Sequence, residues 1–361
     1  MRFLALWLVL LAAPAVASAE DATFKVGVTT RNFVPAEPYD WRGASAHILR
    51  VTIWYPAAAN AREEAQWVGP RIVPLIGAGR GAPDAALADG PRRPLVVLSH
   101  GFGGAASDLA WLGAALAAHG FIAVALNHPG NNALEGTTVE GFALMWLRAT
   151  DLAATIDAML SDRTFGERID PARIGAAGHS LGGYTVLVAA GGLTDPSRLQ
   201  AFCRSPAADV LCTPQRGILE LRQKSQALLG SDPEFQKRHA HAGDSYRDQR
   251  IRAVLAMAPG PGPALTPEGL AKISIPVALV AGSSDEVAPA TSGAEAIGKA
   301  IPRAALTLIP HAGHFAFVGT CTLAGWLFIP AVCREPDGAD RDAVHATTLE
   351  LALEFFTSNL R

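Results

Sequence analysis

A serine stands between glycines in Gly178-His179-Ser180-Leu181-Gly182, directly after the short apolar run "RIGAA" and before the helix-like "LGGYTVLVAAGG". A serine hydroxyl is a weak nucleophile unless a neighbouring group takes its proton. A tight strand-to-helix turn drives such a serine into a strained backbone conformation, so the residues two before and two after it must be very small. Gly178 and Gly182 meet that demand. The helix N-terminus that follows favours negative charge developing beside it. An ordinary turn serine needs none of this context, and the context makes Ser180 the candidate nucleophile.

The rest of the chain offers the partners that such a serine requires. "LIPHAGHFAF" carries His311 and His314 after the last apolar run. His314 lies deeper in that loop, between Gly313 and Phe315, and is the expected base; His311 reads more simply as a polar residue at the strand's end. An imidazole base needs a carboxylate to fix its tautomer and stabilise the imidazolium. "VAGSSDEVAP" supplies Asp285 just past the preceding strand, while its longer neighbour Glu286 would point elsewhere on a tight turn. The glycines of "LSHGFGG" let the backbone curl toward the serine, so the N–H groups of Phe102 and Leu181 are the expected oxyanion donors. Each such donor typically lowers a barrier by about 3 kcal/mol. A phosphate-binding loop is the alternative for these glycines, but the Lys-Ser/Thr ending is missing. A histidine base implies a rate that falls in acid as the imidazole protonates.

These residues need strands and helices to carry them. "PLVVLSH", "FIAVALNHP", "IRAVLAMAP", "IPVALVAG" and "AALTLIP" are apolar runs of strand length, and "RIGAAGHS" is a shorter one that ends at the serine. Helical stretches such as "DLAWLGAALAAHG", "ATDLAATIDAMLSD" and "ATSGAEAIGKA" alternate with them, and the segment from Asp342 to Leu360 has helical periodicity. Apolar strands alternating with amphipathic helices predict an α/β protein with a mostly parallel sheet covered on both faces. "FKVGVTT" and "HILRVTIWYP" are partly alternating and read as an early antiparallel pair. Ala57 to Pro94 reads as a long connection with little structure of its own. Leu193 to Arg250 breaks the alternation and is too long for an ordinary connection. We expect it to form a lid-like insertion, about residues 193–250, over the edge of the sheet where the strands end.

Composition narrows the function classes. The 361 residues are half hydrophobic with a formal net charge of -3, which suits one large domain and leaves no basic footprint for nucleic acid. Met1-Arg2, the apolar stretch Phe3–Ala13 and Ala17-Ser18-Ala19 form a signal-peptide pattern, with cleavage expected after Ala19 and a mature domain over 20–361. The apolar stretch is too short for a comfortable membrane span. A secreted or periplasmic protein follows, and the cysteines agree. Cys203 with Cys212 and Cys321 with Cys333 are the natural local disulfides, although four cysteines allow three connectivities. No CxxC or clustered histidines accompany them, so neither a metal nor any other cofactor is expected.

The motifs "WYPA", "VVLSHGFGG", "LNHPGNN", "IGAAGHSLGG", "VAGSSDEVAP" and "HAGHFAF" resemble those of α/β-hydrolases of the dienelactone hydrolase and platelet-activating-factor acetylhydrolase-like group. The resemblance implies the α/β-hydrolase fold and hydrolysis of carboxylic esters. Two departures stand out. Dienelactone hydrolases carry a cysteine where this chain has Ser180, and the acetylhydrolases place their acid after an earlier strand, where "VLAMAPGPG" has no carboxylate. Neither founding substrate is therefore implied. An amidase or peptidase using the same residues, or a non-catalytic binding protein of this fold, are the rival readings.

Two apolar stretches are candidate walls for a small-molecule or polymeric ester. "GFALMWLR" holds Phe142 and Trp146, and the cysteine-bounded "CTLAGWLFIPAVC" holds Trp326. The second could instead meet a lipid surface, and plain core packing is the alternative for both. His128, in "LNHPGNN", reads as a hydrogen-bonding loop residue.

Overall fold

The computed structural model describes residues 24–70, 72–213 and 216–361, so the expected signal segment over 1–19 lies outside the described residues. Its strands are β1 (Lys25–Phe33), β2 (Leu49–Ala57), β3 (Glu64–Val68), β4 (Ile76–Pro83), β5 (Arg93–Ser99), β6 (Ile122–Leu126), β7 (Asn131–Asn132), β8 (Gly136–Thr137), β9 (Ile169–His179), β10 (Ile251–Met257), β11 (Val277–Gly282) and β12 (Ala304–Ile309). All but the small β7–β8 ladder join one ten-stranded sheet in the order β12-β11-β10-β9-β5-β6-β2-β1-β4-β3. From β12 to β6 the neighbours are parallel; β2 runs antiparallel to β6, and β1 antiparallel to β2. The early antiparallel pair expected from the sequence is therefore present.

The helices are α1 (Ala110–Ala118), α2 (Val139–Ala143), α3 (Arg148–Ser161), α4 (Leu181–Ala189), α5 (Pro196–Cys203), α6 (Arg216–Ser231), α7 (Pro233–Ala240), α8 (Pro267–Ala271), α9 (Ala294–Ala300), α10 (Leu323–Phe328), α11 (Pro330–Cys333) and α12 (Arg341–Asn359). Side chains alternate across a strand, so one apolar run feeds two cores. Leu95 and Val97 of β5 pack on one face with Leu152 and Ile156 of α3, Tyr184 and Leu187 of α4, and Ile297 of α9. Val96 and Leu98 face the other side, with Leu112 and Leu116 of α1 and Val344 and Phe356 of α12. This is the two-faced burial that continuous apolar strands require.

The stretch from Ala57 to Pro94 differs from its expectation as a loop: it folds into β3 and β4, which pair antiparallel, and β4 adds to β1. Its glycines hide the strand pattern yet are what the pairing needs, because a Cβ at Gly81 would come within 2.9 Å of the Val28 side chain. Between α4 and β10, the segment over 193–250 forms α5, α6 and α7. Phe235 and Ala242 of this segment bury themselves with Leu144 and Trp146, and Arg238 forms a bidentate pair with Asp40 at 2.7 and 2.9 Å. The insertion is thus docked on the stretch that follows β8 and on the segment between β1 and β2. Among the described residues, no helix is long and apolar enough to cross a membrane.

Several histidines lie inside this fold. Burial holds His100, His128 and His179 well below the ordinary imidazole range, and it lowers His345 to about 4. The His345 ring stacks on Trp111 with centroids 4.0 Å apart, and its Nε2–H donates to the Val318 carbonyl at 2.9 Å. These rings are neutral in the folded protein, whereas in the unfolded chain each takes up a proton near pH 6.5. Their contribution is therefore complete above about pH 6.5 and is lost as the pH falls toward 4, by roughly 3 kcal/mol for His345. Urea midpoints measured from pH 7.5 to 4.5 are expected to fall steadily. His345→Gln, which keeps a donor for Val318, is expected to flatten that slope; an unchanged slope would refute the assignment.

Candidate active site

The elbow is built as the glycine spacing demands. Ser180 follows β9 and precedes α4 with φ +56° and ψ -120°, a conformation that costs a side-chain-bearing residue about 1–3 kcal/mol. A Cβ at Gly178 would stand 2.2 Å from the Gly182 carbonyl oxygen, and one at Gly182 would stand 1.9 Å from the Ser99 carbonyl oxygen. Backbone bonds hold the strained residue: Ser180 N–H donates to the Met257 carbonyl at 2.9 Å, and Gly260 N–H donates to the Ser180 carbonyl at 3.2 Å. The side chain emerges partly exposed at the edge where the parallel strands end.

His314 and Asp285 come to this serine from two different loops. Ser180 Oγ–H donates to His314 Nε2 at 2.8 Å, and His314 Nδ1–H donates to Asp285 Oδ2 at 2.7 Å. Asp285 follows β11, and its other oxygen accepts the N–H groups of Val287 at 2.9 Å and Ala288 at 2.7 Å. That leaves one carboxylate oxygen aimed at the imidazole. Asp285 and His314 are both buried, whereas Glu286 and His311, the alternatives weighed from the sequence, are exposed. Such a relay lets the imidazole take the serine proton while the carboxylate holds its tautomer.

The loop after β5 closes on the serine: a Cβ at Gly101 would lie 3.3 Å from Ser180 Cβ. Among the described residues, the N–H groups of Phe102 and Leu181 find no acceptor, so both remain free to bind an anionic oxygen. The Phe102 ring meets the Phe142 ring edge-on at 6.1 Å, bringing α2 beside the loop. Trp146 has a different place from the pocket wall expected of it. It is fully buried, edge-on to His239 of α7, so its ring fastens the insertion to the body of the protein. The insertion's own apolar side chains cover it, which its spacing in the chain could not reveal.

Trp326 is half-exposed on α10 and lines a cleft of about 400 Å³ with Cys321, Cys333, Glu335 and Arg341; none of the relay residues lines it. Leu323, Leu327 and Phe328 of the same short helix are about 70–80 % exposed, so the cysteine-bounded loop presents an apolar face. A second cleft, of about 580 Å³, lies between α5 and α9 and is also apart from Ser180. Cys203 is bonded to Cys212 and Cys321 to Cys333, as their spacing implied. Among the described residues, no cluster of three His, Cys, Asp or Glu could hold a metal ion.

Three supports were not apparent from the sequence. His179, inside the elbow, donates from Nε2 to the His314 carbonyl at 2.9 Å, with the two rings 4.8 Å apart. Glu335 accepts the Gly313 N–H at 3.0 Å and pairs with Arg341 at 2.6 Å, which fixes the backbone just before His314. Arg148 lies fully buried and, among the described residues, forms no ion pair with a carboxylate; burial lowers it to about 9. The visible signal for Arg148 was a charge inside the apolar "LMWLRATDLAATI".

The fold agrees with what this chain is similar to. Residues 96–320 match the Alpha/beta hydrolase family, and the chain belongs to that family. It is 36 % identical over 90 residues to cutinase est1 of Thermobifida alba, a match covering 24 % of this chain and 27 % of that protein. It is 33 % identical over 90 residues to cutinase 2 of Thermobifida cellulosilytica, covering 24 % of this chain and 30 % of that one. These matches therefore span less than a third of the curated relatives. The solved ferulic acid esterase of Streptomyces cinnamoneus superposes with a TM-score of 0.61 at 19 % identity, covering 96 % of this chain and 94 % of that one, and shares the fold.

The glycine contacts give a direct check. Gly182→Ala must push the elbow away from the end of β5, and is expected to lower the melting temperature by about 3 °C or more. A melting temperature within about 1 °C of the parent would show that the elbow has more room than these contacts allow.

Proposed function

We propose that this chain is an exported serine hydrolase that cleaves carboxylic esters through an acyl-enzyme. The observation that carries the reading is the relay from Ser180 Oγ through His314 to Asp285, with hydrogen bonds of 2.8 and 2.7 Å. His314 takes the Ser180 proton as Oγ attacks the ester carbonyl, and the oxyanion accepts hydrogen bonds from the N–H groups of Phe102 and Leu181. His314 then passes the proton to the leaving alcohol. Water repeats the sequence on the acyl-enzyme and frees Ser180. Apart from the ester and the water, every group named in these steps belongs to this chain.

The cutinase relatives support the ester as the bond cleaved, although they match only a quarter of the chain. The motifs shared with the dienelactone hydrolase and platelet-activating-factor acetylhydrolase-like group support the same class of bond. Two disulfides support an oxidising compartment such as the periplasm or the exterior. The insertion over 193–250 acts as a wall beside the mouth, with Phe142 of α2 placed against Phe102 to meet an acyl group. The apolar face of α10 supports contact with a lipid surface or an apolar polymeric ester.

Initial rates on p-nitrophenyl esters from acetyl to palmitoyl test the reading. Turnover is expected in the parent, with Ser180→Ala lowering kcat by about 10⁴-fold or more. The preferred chain length then sizes the acyl site. Absence of turnover on every ester, together with failure of Ser180 to react with a fluorophosphonate, would defeat the proposal.

A further inference from the structure

A second Ser-His-Asp set lies behind the loop after β5. Ser99 Oγ–H donates to His128 Nε2 at 2.8 Å, and His128 Nδ1–H donates to Asp151 Oδ2 at 2.7 Å, matching the distances at Ser180. This set cannot meet a substrate. Ser99, His128 and Asp151 are fully buried, and the Ser99 carbonyl faces the space that Gly182 leaves open. Arg42 donates to Asp151 at 2.6 Å and to the Pro129 carbonyl at 3.1 Å, and the Tyr39 hydroxyl donates to the other Asp151 oxygen. Buried polar groups satisfied this fully make a rigid platform.

Two residues link the platform to the loop and the elbow. Asn131 Oδ1 accepts the Gly103 N–H at 2.9 Å, beside Phe102, and an Arg148 Nη1–H at 3.0 Å. Arg148 Nη2 donates to the His100 carbonyl, two residues before Phe102. Its Nε–H donates to Thr185 Oγ1 at 3.1 Å, and that hydroxyl donates to the Leu181 carbonyl at 2.7 Å. One planar guanidinium therefore reaches both segments whose N–H groups stand free beside Ser180. A fork of fixed geometry sets a distance in a way that a flexible ammonium does not.

We propose that Arg148 and Asn131 are positioning residues for the oxyanion hole, holding the N–H groups of Phe102 and Leu181 at one spacing. The inference rests on the hydrolase reading of Ser180. Donors held at fixed positions stabilise the transition state more than the ground state, so disturbing them lowers kcat and leaves KM almost unchanged. Among the described residues, Asn131 Nδ2 is buried without a partner, so exchanging it for oxygen loses no hydrogen bond and sets a carboxylate beside Arg148.

The test compares parent, Asn131→Ala and Asn131→Asp on one p-nitrophenyl ester, with active sites counted by the fluorophosphonate. A trifluoromethyl ketone, whose hemiketal oxygen would occupy the hole, serves as the inhibitor. Asn131→Ala is expected to lose about thirtyfold or more in kcat with KM within about threefold, and to weaken ketone binding by a similar factor. Asn131→Asp is expected to recover about tenfold of that loss. A kcat and ketone affinity within about threefold of the parent in Asn131→Ala, or a loss that Asn131→Asp does not recover, would overturn the proposal.

Should Asn131→Ala fail to fold, amide exchange in the parent decides. Protection of the Gly103 amide at least about a hundredfold beyond Phe102 supports the lock, and equal exchange of the two overturns it. If the parent neither turns over the ester nor binds the ketone, the reading of Ser180 itself falls, and this inference falls with it.

Discussion

The architecture depends on one strained residue. Ser180 holds a backbone conformation that a side chain resists, and it stays there because its neighbours leave no alternative. Its N–H is bound to the end of β10, its carbonyl to the turn after β10, and Gly182 presses against the end of β5. Those contacts require β5, β9 and β10 to lie side by side and to finish at one level, as the sheet order provides. The loops that follow β11 and β12 then open onto the same edge, where Asp285 and His314 reach the serine without further distortion.

Much of this was legible in the chain because the relevant signals are local. Apolar runs of strand length identify the parallel strands, and each relay residue follows the end of such a run. The glycines around Ser180 are local as well. Where the reading failed, the deciding interactions were distant in sequence. β3 and β4 lack a β-branched pattern, and their strand form comes from pairing with each other and with β1. Trp146 has the spacing of a pocket residue, but α7 and the segment after it bury it. Arg148 announces itself as a charge in an apolar stretch; its partners, Asn131, His100 and Thr185, come from three other segments.

The two Ser-His-Asp sets show that hydrogen-bond geometry does not by itself make a reactive site. Both have the same connectivity and the same distances. They differ in their surroundings: Ser180 emerges at an open edge beside two N–H groups that have no acceptor among the described residues, while Ser99 is sealed by glycine-mediated contact with the elbow. A partly exposed serine at an open edge can be reached by a substrate, whereas a fully buried one cannot. Neutral buried histidines suit such a sealed interior well, because His100 and His128 each link two polar partners without bringing an extra charge into the core.

The disulfides join residues only nine and twelve positions apart. Neither bridge ties one strand of the sheet to another, and neither closes a loop that contains Ser180, Asp285 or His314. Their constraint on the chain is regional: one braces the outer insertion, and the other braces the apolar loop that begins shortly after His314. A polypeptide made in a reducing cytoplasm therefore keeps every instruction needed to assemble its sheet. What it lacks there is the bracing of two surface segments, which an oxidising environment can add to a body already folded.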